Sequence, residues 1–161
     1  MSPALLYPIL KRAFDVAAVL LSLPLVAPLV LILAIAVRLD SPGPTLFRQR
    51  RLGHRGRVFT MYKLRSMRVA APDIRNPDGS CFVAEQDSRL TTVGRFLRKS
   101  SLDELPQLWN VLLGDMSLVG PRPDQDKDVV LYGDLARRKL FVKPGIASNA
   151  TIHGRNNLSW H

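Results

Sequence analysis

The sequence is short of cysteine, of paired histidines, of aromatic rings and of acidic side chains, and each shortage removes a class of chemistry. Cys81 is the only cysteine in 161 residues, so no disulfide framework of the secreted kind and no thiolate metal site is encoded. No histidine lies near it in sequence to mark a reactive thiol. His54, His153 and His161 lack the helical or paired spacing that zinc ligands need. Aromatic residues make up 7% of the chain, without the recognition motif or stacking array that would point to nucleic acid. Internal repeats, heptad arrays and low-complexity tracts are also missing. Acidic groups are outnumbered, 13 Asp+Glu against 23 Lys+Arg, for a formal net charge of +10. A field of that sign concentrates anions such as nucleotides or acidic lipid headgroups.

What is present begins with residues 16–37, which carry no charge. Roughly 20 apolar residues at ~1.5 Å each suffice to cross a bilayer. Pro24 and Pro28 fall near the middle, where they remove backbone donors and bend or break a helix. Lys11 and Arg12 precede the run, and Arg38, Arg48, Arg50 and Arg51 follow it, so the positive-inside rule holds both flanks in the cytoplasm. A helix–break–helix that enters one leaflet and returns satisfies both observations; a proline-kinked single span is the alternative. A signal peptide is disfavoured, because the run is long and ends at Arg38-Leu39-Asp40 without a small-residue cleavage site. Residues 1–40 therefore read as a membrane-embedded re-entrant helix. Residues 41–161 read as one cytoplasmic, membrane-associated domain, since roughly 120 residues suffice for one core.

The expected fold class is α+β and mostly helical, with a small β-hairpin and interfacial amphipathic helices. Ser41-Pro42-Gly43-Pro44 ends the membrane element. Residues 45–49 and 58–64 read as strands around the Gly53-His54-Arg55-Gly56 turn. Residues 71–79 read as a surface loop. Residues 92–99 read as a basic amphipathic helix, with Val93, Phe96 and Leu97 on one side and Arg95, Arg98 and Lys99 elsewhere. That helix either packs on the core or lies on an anionic membrane surface.

Asp103 and Glu104 are adjacent carboxylates in this basic chain, within Ser101-Leu102-Asp103-Glu104-Leu105-Pro106-Gln107-Leu108. Ser101-x-x-Glu104 fits a helix capping box. Leu105, Leu108, Trp109 and Leu112 continue a helical stripe, Gly114 is a plausible stop, and Pro106 places the first turn at or near Asp103. The positive end of a helix keeps Asp103 ionised, which suits a nucleophile or a magnesium ligand better than a general acid. Capping and chemistry are compatible here. Three further stretches offer cations on rigid or tight turns: Gly120-Pro121-Arg122-Pro123, Lys143-Pro144-Gly145 and Gly154-Arg155-Asn156. Each is either a phosphate contact or a solvated turn. Met116, Leu118 and Val119 beside Asp115 read as core.

Taken together, the chain resembles the bacterial sugar transferase family, the monotopic phosphoglycosyl transferases. The matching stretches are Lys11-Arg12-Ala13-Phe14-Asp15, Tyr62-Lys63-Leu64-Arg65-Ser66-Met67 and the run from Ser101 through Leu112. The match continues over Gly114-Asp115-Met116-Ser117-Leu118-Val119-Gly120-Pro121-Arg122-Pro123, with Lys143-Pro144-Gly145-Ile146 and Gly154-Arg155-Asn156 following in order. The resemblance covers nearly the whole chain.

The resemblance implies an enzyme at the cytoplasmic face of the bacterial inner membrane. It would transfer a phosphosugar from a UDP-sugar to polyprenyl (undecaprenyl) phosphate and release UMP, opening the synthesis of a surface glycan. Asp103 would attack the sugar-bearing phosphorus and form a covalent phosphosugar intermediate, while Glu104 would hold Mg2+ or orient the reacting groups. Arg122, with Arg98, Lys63 and Arg155, would contact phosphates. The lipid acceptor would then attack the intermediate in a ping-pong reaction. Partners would be the UDP-sugar, polyprenyl phosphate and membrane lipids, not nucleic acid. The sequence departs from the family in having Ala27-Pro28 where a Ser-Pro pair is usual. Its residues 146–153 also lack the usual Gly-Trp-containing run, and it ends at His161 where family members continue. The rival reading is a catalytically inactive, basic, membrane-anchored interaction protein. The sugar, the glycan pathway and the oligomeric state are left open by the sequence.

Overall fold

The apolar run forms one helix, α1 (Pro3–Asp40), in a computed structural model that describes residues 3–74, 87–127, 132–133 and 137–148. The expected interruption at Pro24 and Pro28 is absent as a break: α1 continues through both, and through Pro8. Each proline deletes a single donor, so the carbonyl four residues earlier loses its helical bond while the rest of the ladder holds. A full break would leave several polar groups bare among apolar neighbours. The hydroxyl that bonds back to the helix belongs to Ser22, which donates to the Val19 carbonyl at 2.8 Å. Such a back-bond bends a helix locally. The alanine of Ala27-Pro28 has no hydroxyl with which to make one.

Both faces of α1 are apolar, but they meet different surroundings. Asp15, Val19, Leu33 and Val37 are buried, and half-buried Ser22, Val26 and Val30 continue the same stripe at helical spacing. On the other side Phe14, Leu21, Leu25, Ile32, Ile35 and Leu39 are exposed, Leu21 to 82%. The buried stripe joins two core clusters. Val19 packs with Phe59, Met61, Val111 and Met116, and Leu33 and Val37 pack with Leu64 and Leu97. Both halves of the helix thus lie against the same body.

Two antiparallel strands, β1 (Leu46–Leu52) and β2 (Val58–Leu64), form the expected hairpin, in register from Leu46↔Leu64 to Leu52↔Val58. The first strand runs further than residues 45–49, because Arg50 and Arg51 find partners in Asp126, Gln49 and the Pro123 carbonyl. The turn is a 3-10 segment, His54–Gly56, with Arg55 and Gly56 at positive φ. Arg65, buried at the end of β2, donates to the carbonyls of Val37, Ser41 and Pro42. It closes the last turn of α1, where a cation is favoured.

The basic amphipathic helix is α2 (Thr92–Ser100), capped by Thr91, whose hydroxyl accepts from Gly94 N at 3.0 Å. Its expected apolar face divides. Leu97 is fully buried, whereas Phe96 is 57% exposed beside Arg95 and Lys99. Gly94 is required by contact, since a Cβ there would lie 1.9 Å from the Ser66 carbonyl oxygen. A 3-10 turn, Leu102–Glu104, leads into α3 (Gln107–Leu113), which Gly114 terminates at φ 90° as expected. A second sheet was not foreseen: β3 (Ser117–Val119) pairs in parallel with β4 (Gly145–Ala147). Helix accounts for about half of the described residues, less than expected, the balance being strand and irregular chain. The loop at 71–79 is described only through 74, without regular structure there; Cys81 lies outside the described residues.

Candidate active site

The capping box at Ser101-x-x-Glu104 does not form. Ser101 ends α2 in the left-handed region, at φ 63°, and its side chain makes no cap hydrogen bond to the 3-10 turn. The Glu104 amide donates instead to the Ser101 carbonyl at 3.1 Å. This leaves the Glu104 carboxylate to point across to β2, where Lys63 Nζ donates to Glu104 Oε1 at 2.8 Å. The two side chains are 16% and 19% exposed, so the pair is shielded enough to be strong and open enough to meet a ligand.

Asn110 fixes how α3 sits on β2. It is fully buried, its amide nitrogen donates to the Thr60 carbonyl at 2.7 Å, and its amide oxygen accepts from Tyr62 N at 3.1 Å. The next residue along the strand is Lys63. One side chain therefore sets the register that lets a lysine on the hairpin meet a glutamate at the head of α3.

Burial pushes the Lys63 proton affinity down from the ordinary lysine value, and the negative charges of Glu104 and then Asp103 partly oppose this. The positive charge of Arg122 adds to the depression. All four groups therefore share one electrostatic neighbourhood. Lys63, Glu104 and Arg122 line an open cleft of about 260 Å³, with Arg51, Met61 and Gln107 also on its wall. Asp103 is placed one position behind Glu104 on the 3-10 turn and is only 8% exposed. Its charge reaches Lys63 although its side chain does not line the cleft.

Two of the three cation-bearing turns come together. Gly120 and Gly145 cross so closely that a Cβ on Gly145 would lie 2.0 Å from Gly120 N, and one on Gly120 would lie 2.4 Å from the Lys143 carbonyl. Gly145 N donates to the Pro121 carbonyl at 3.0 Å. The crossing holds Pro121, Arg122 and Pro123 beside Lys143-Pro144-Gly145 at the rim of the cleft. Arg98 Nε donates to Ser66 Oγ at 3.0 Å, and Arg98 is not among the residues that line the cleft. Gly154-Arg155-Asn156 lies outside the described residues.

Arg51 is a cleft residue whose sequence context marks it only as flanking charge. It donates to the Pro123 carbonyl at 3.0 Å and to Gln49 Oε1. The hairpin register carries the missed signal. Arg51 opposes Phe59 and Gln49 opposes Met61, so by strand alternation Arg51 shares the pleat face of Lys63.

Among the described residues no group of three or more His, Cys, Asp or Glu gathers as an all-protein metal site. The adjacent carboxylates of Asp103 and Glu104 match a different donor set. Mg2+ is usually held by one or two carboxylates together with substrate phosphates and water.

Residues 6–161 match the sequence model of the bacterial sugar transferase family. Among similar proteins is the galactosyl transferase CpsE of Streptococcus agalactiae serotype III (strain NEM316), 42% identical over 158 residues, covering 94% of this chain and 35% of that protein. Another is EpsL of Bacillus subtilis (strain 168), named an uncharacterized sugar transferase, 45% identical over 152 residues, covering 94% of this chain and 72% of EpsL. A third is the UDP-glucose:undecaprenyl-phosphate glucose-1-phosphate transferase of Escherichia coli (strain K12). It is 44% identical over 151 residues, covering 91% of this chain and 31% of that protein. The chain thus spans about a third of CpsE and of the Escherichia coli protein.

Proposed function

The chain belongs to the bacterial sugar transferase family, and on that premise we propose that it moves a phosphosugar from a UDP-sugar to polyprenyl phosphate at the membrane surface. The observation that carries this reading is the convergence of Lys63, Glu104 and Arg122 on one cleft, with Asp103 behind them. A diphosphate brings two phosphates that need cations, and two guanidinium- or ammonium-bearing elements flank the cleft. The names of several relatives specify undecaprenyl phosphate as the acceptor, which supports the same assignment here.

In this mechanism an Asp103 carboxylate oxygen attacks the sugar-bearing phosphorus. The bond from that phosphorus to the bridging diphosphate oxygen breaks, and UMP leaves with the bonding electron pair. The phosphosugar remains on Asp103 as an acyl phosphate. A phosphate oxygen of the polyprenyl phosphate then attacks the same phosphorus, forming the polyprenyl diphosphate sugar and restoring the Asp103 carboxylate. Lys63 places a positive charge beside both carboxylates, and Arg122 stabilises charge on the departing phosphate. Glu104, on the cleft wall, would hold Mg2+, which would supply further positive charge to the diphosphate.

The membrane placement follows from α1. Its two halves pack on one body, which supports a helix that keeps both flanks on the cytoplasmic side and enters one leaflet only. The exposed apolar stripe of α1 then meets lipid. Phe96 with Arg95 and Lys99 on α2, and Trp109 with Leu113 on α3, suit the interface.

The test mixes the membrane-reconstituted protein with a panel of UDP-sugars and magnesium. Without acceptor, one equivalent of UMP and a phosphosugar adduct on the peptide containing Asp103 are expected; with polyprenyl phosphate, UMP release becomes continuous. Asp103→Asn should abolish both. Transfer by Asp103→Asn, or an adduct elsewhere, would overturn the assignment of the nucleophile. No UMP from any UDP-sugar in the presence of acceptor would favour the interaction-protein reading.

A further inference from the structure

The positive-inside rule gives Lys11 and Arg12 a role through charge alone, yet both side chains are engaged with the domain. The Arg12 guanidinium donates to the carbonyls of Val111 and Leu112, the latter at 2.8 Å. These are end carbonyls of α3, where a helix attracts a cation; that of Val111 also accepts from Gly114 N at 3.0 Å. Lys11 Nζ donates to Asp15 and, at 2.6 Å, to Ser117 Oγ. Ser117 Oγ in turn donates to Asp15 Oδ2 at 2.8 Å, and Leu118 N reaches Asp15 Oδ1 at 3.4 Å. Asp15 is 3% exposed and Ser117 5%, so the carboxylate and hydroxyl of this network between α1 and β3 are buried, while the Lys11 side chain is 30% exposed at its edge.

The two elements held in this way carry the two sides of the cleft. The 3-10 turn with Asp103 and Glu104 leads directly into α3, and β3 runs directly into Gly120, Pro121 and Arg122. We propose that Lys11, Arg12 and Asp15 are positioning residues, which lock β3 against α3 and so set the span between Glu104 and Arg122 across the cleft. The seating of the membrane helix and the geometry of the cleft are then one mechanical unit. The catalytic meaning of that span rests on the phosphosugar-transfer reading above; the mechanical coupling does not.

Arg12→Lys separates this role from a purely topological one. It keeps the positive charge but cannot reproduce the fork that grips two carbonyls. Asp15→Asn removes the carboxylate that organises Lys11 and Ser117, and the double variant Lys11→Met/Asp15→Asn removes the charge pair together should Asp15→Asn fail to fold. In the full chain reconstituted in lipid, amide hydrogen exchange is read at Ser117, Gly120 and Gly145. These amides bond to the Pro144, Ala147 and Pro121 carbonyls respectively. We expect exchange there to quicken about 10-fold in Arg12→Lys and in the Asp15 variants, with α2 amides unchanged and labelling of the N-terminal flank still cytoplasmic. The KM for the UDP-sugar should rise about 10-fold and kcat fall by up to about 10²-fold, the scale of a ~1 Å misplacement. Loss of folded protein alone would lower kcat and leave KM in place. Wild-type exchange at the three amides together with a wild-type KM in Arg12→Lys would overturn the proposal and leave the pair a charge anchor. Should the unaltered protein transfer no phosphosugar, the functional reading falls while the exchange measurement still decides the coupling.

Discussion

Lys63 and Glu104 face each other at 2.8 Å across the groove between β2 and the 3-10 turn, although 41 positions separate them in sequence. Each neutralises a charge that the fold has largely withdrawn from water. Removing one partner alone should therefore harm the fold as well as the chemistry. Lys63→Met is expected to lower stability by about 2 kcal/mol, from the lost charge-assisted hydrogen bond to a shielded carboxylate, and phosphosugar transfer by about 10²-fold or more. Lys63→Met combined with Glu104→Met should recover much of the stability, because two apolar side chains of similar length replace a shielded pair, but none of the activity. Thermal melts in detergent and UMP-release assays on the same preparations separate the two effects.

Asn110 makes a sharper structural prediction. Asn110→Ala leaves the Tyr62 N–H and the Thr60 carbonyl without their amide partners in a fully buried place. The cost should be about 2–4 kcal/mol for two stranded polar groups. Exchange of the Tyr62 amide should rise well beyond that of its strand neighbours, and turnover should fall because Lys63 follows directly in β2. A variant that melts like the unaltered protein would mean that the hairpin seats itself without this bond.

Asp87 carries a pH dependence whose sign can be stated in advance. The hydrogen bond from the Arg89 guanidinium holds its carboxyl below the ordinary value of 3.8, against the opposing effect of burial. The unfolded chain then binds the proton more tightly than the folded one. The contribution to stability is complete above the unfolded value and is lost as pH falls through the folded one. Asp87→Asn should accordingly cost about 2 kcal/mol near neutral pH, and the gap to the unaltered protein should close as pH falls below ~4. A gap that is constant from pH 7 to pH 3 would show that the ionised carboxylate contributes nothing.

The path of α1 in the bilayer is tested by labelling single cysteines in a Cys81-free background. Tyr7→Cys and Phe47→Cys, both exposed in the fold, should react with an impermeant reagent from the cytoplasmic side only. Reaction of the first from outside and the second from inside would require a full crossing. It would also require that one of the two core contacts of α1 does not exist in the membrane.

Local chemistry made part of this structure readable and left part of it hidden. The hairpin, α2 and the stop at Gly114 were legible because alternation, helical spacing and turn residues act within a few positions. Lys63 and Arg122 were identified through resemblance, and the fold brings them to one cleft. Their meeting depends on Asn110 and on the Gly120–Gly145 crossing, contacts between segments far apart in sequence. The capping box was legible but misleading: Ser101 ends the preceding helix in a left-handed conformation, so its hydroxyl is turned from the task its spacing implies. The parallel pair β3–β4 has strands of only 3 residues each, too short for any period to register. At Pro24 and Pro28 the local rule was sound, but the loss of one donor per proline was too small to divide a long apolar helix.

The stripe of α1 that enters the two core clusters has a practical corollary for anyone wishing to handle the domain that follows it in water. Cutting the chain after Asp40 would remove Val19, Leu33 and Val37 together and bare Phe59, Met61, Val111 and Met116 at one place and Leu64 and Leu97 at another. A truncated version would trade one greasy surface for a second, and should collapse or clump rather than dissolve. Solubility would have to be sought on the outward residues, Phe14, Leu21, Leu25, Ile32, Ile35 and Leu39, by exchanging them for polar ones while the inward stripe is left alone.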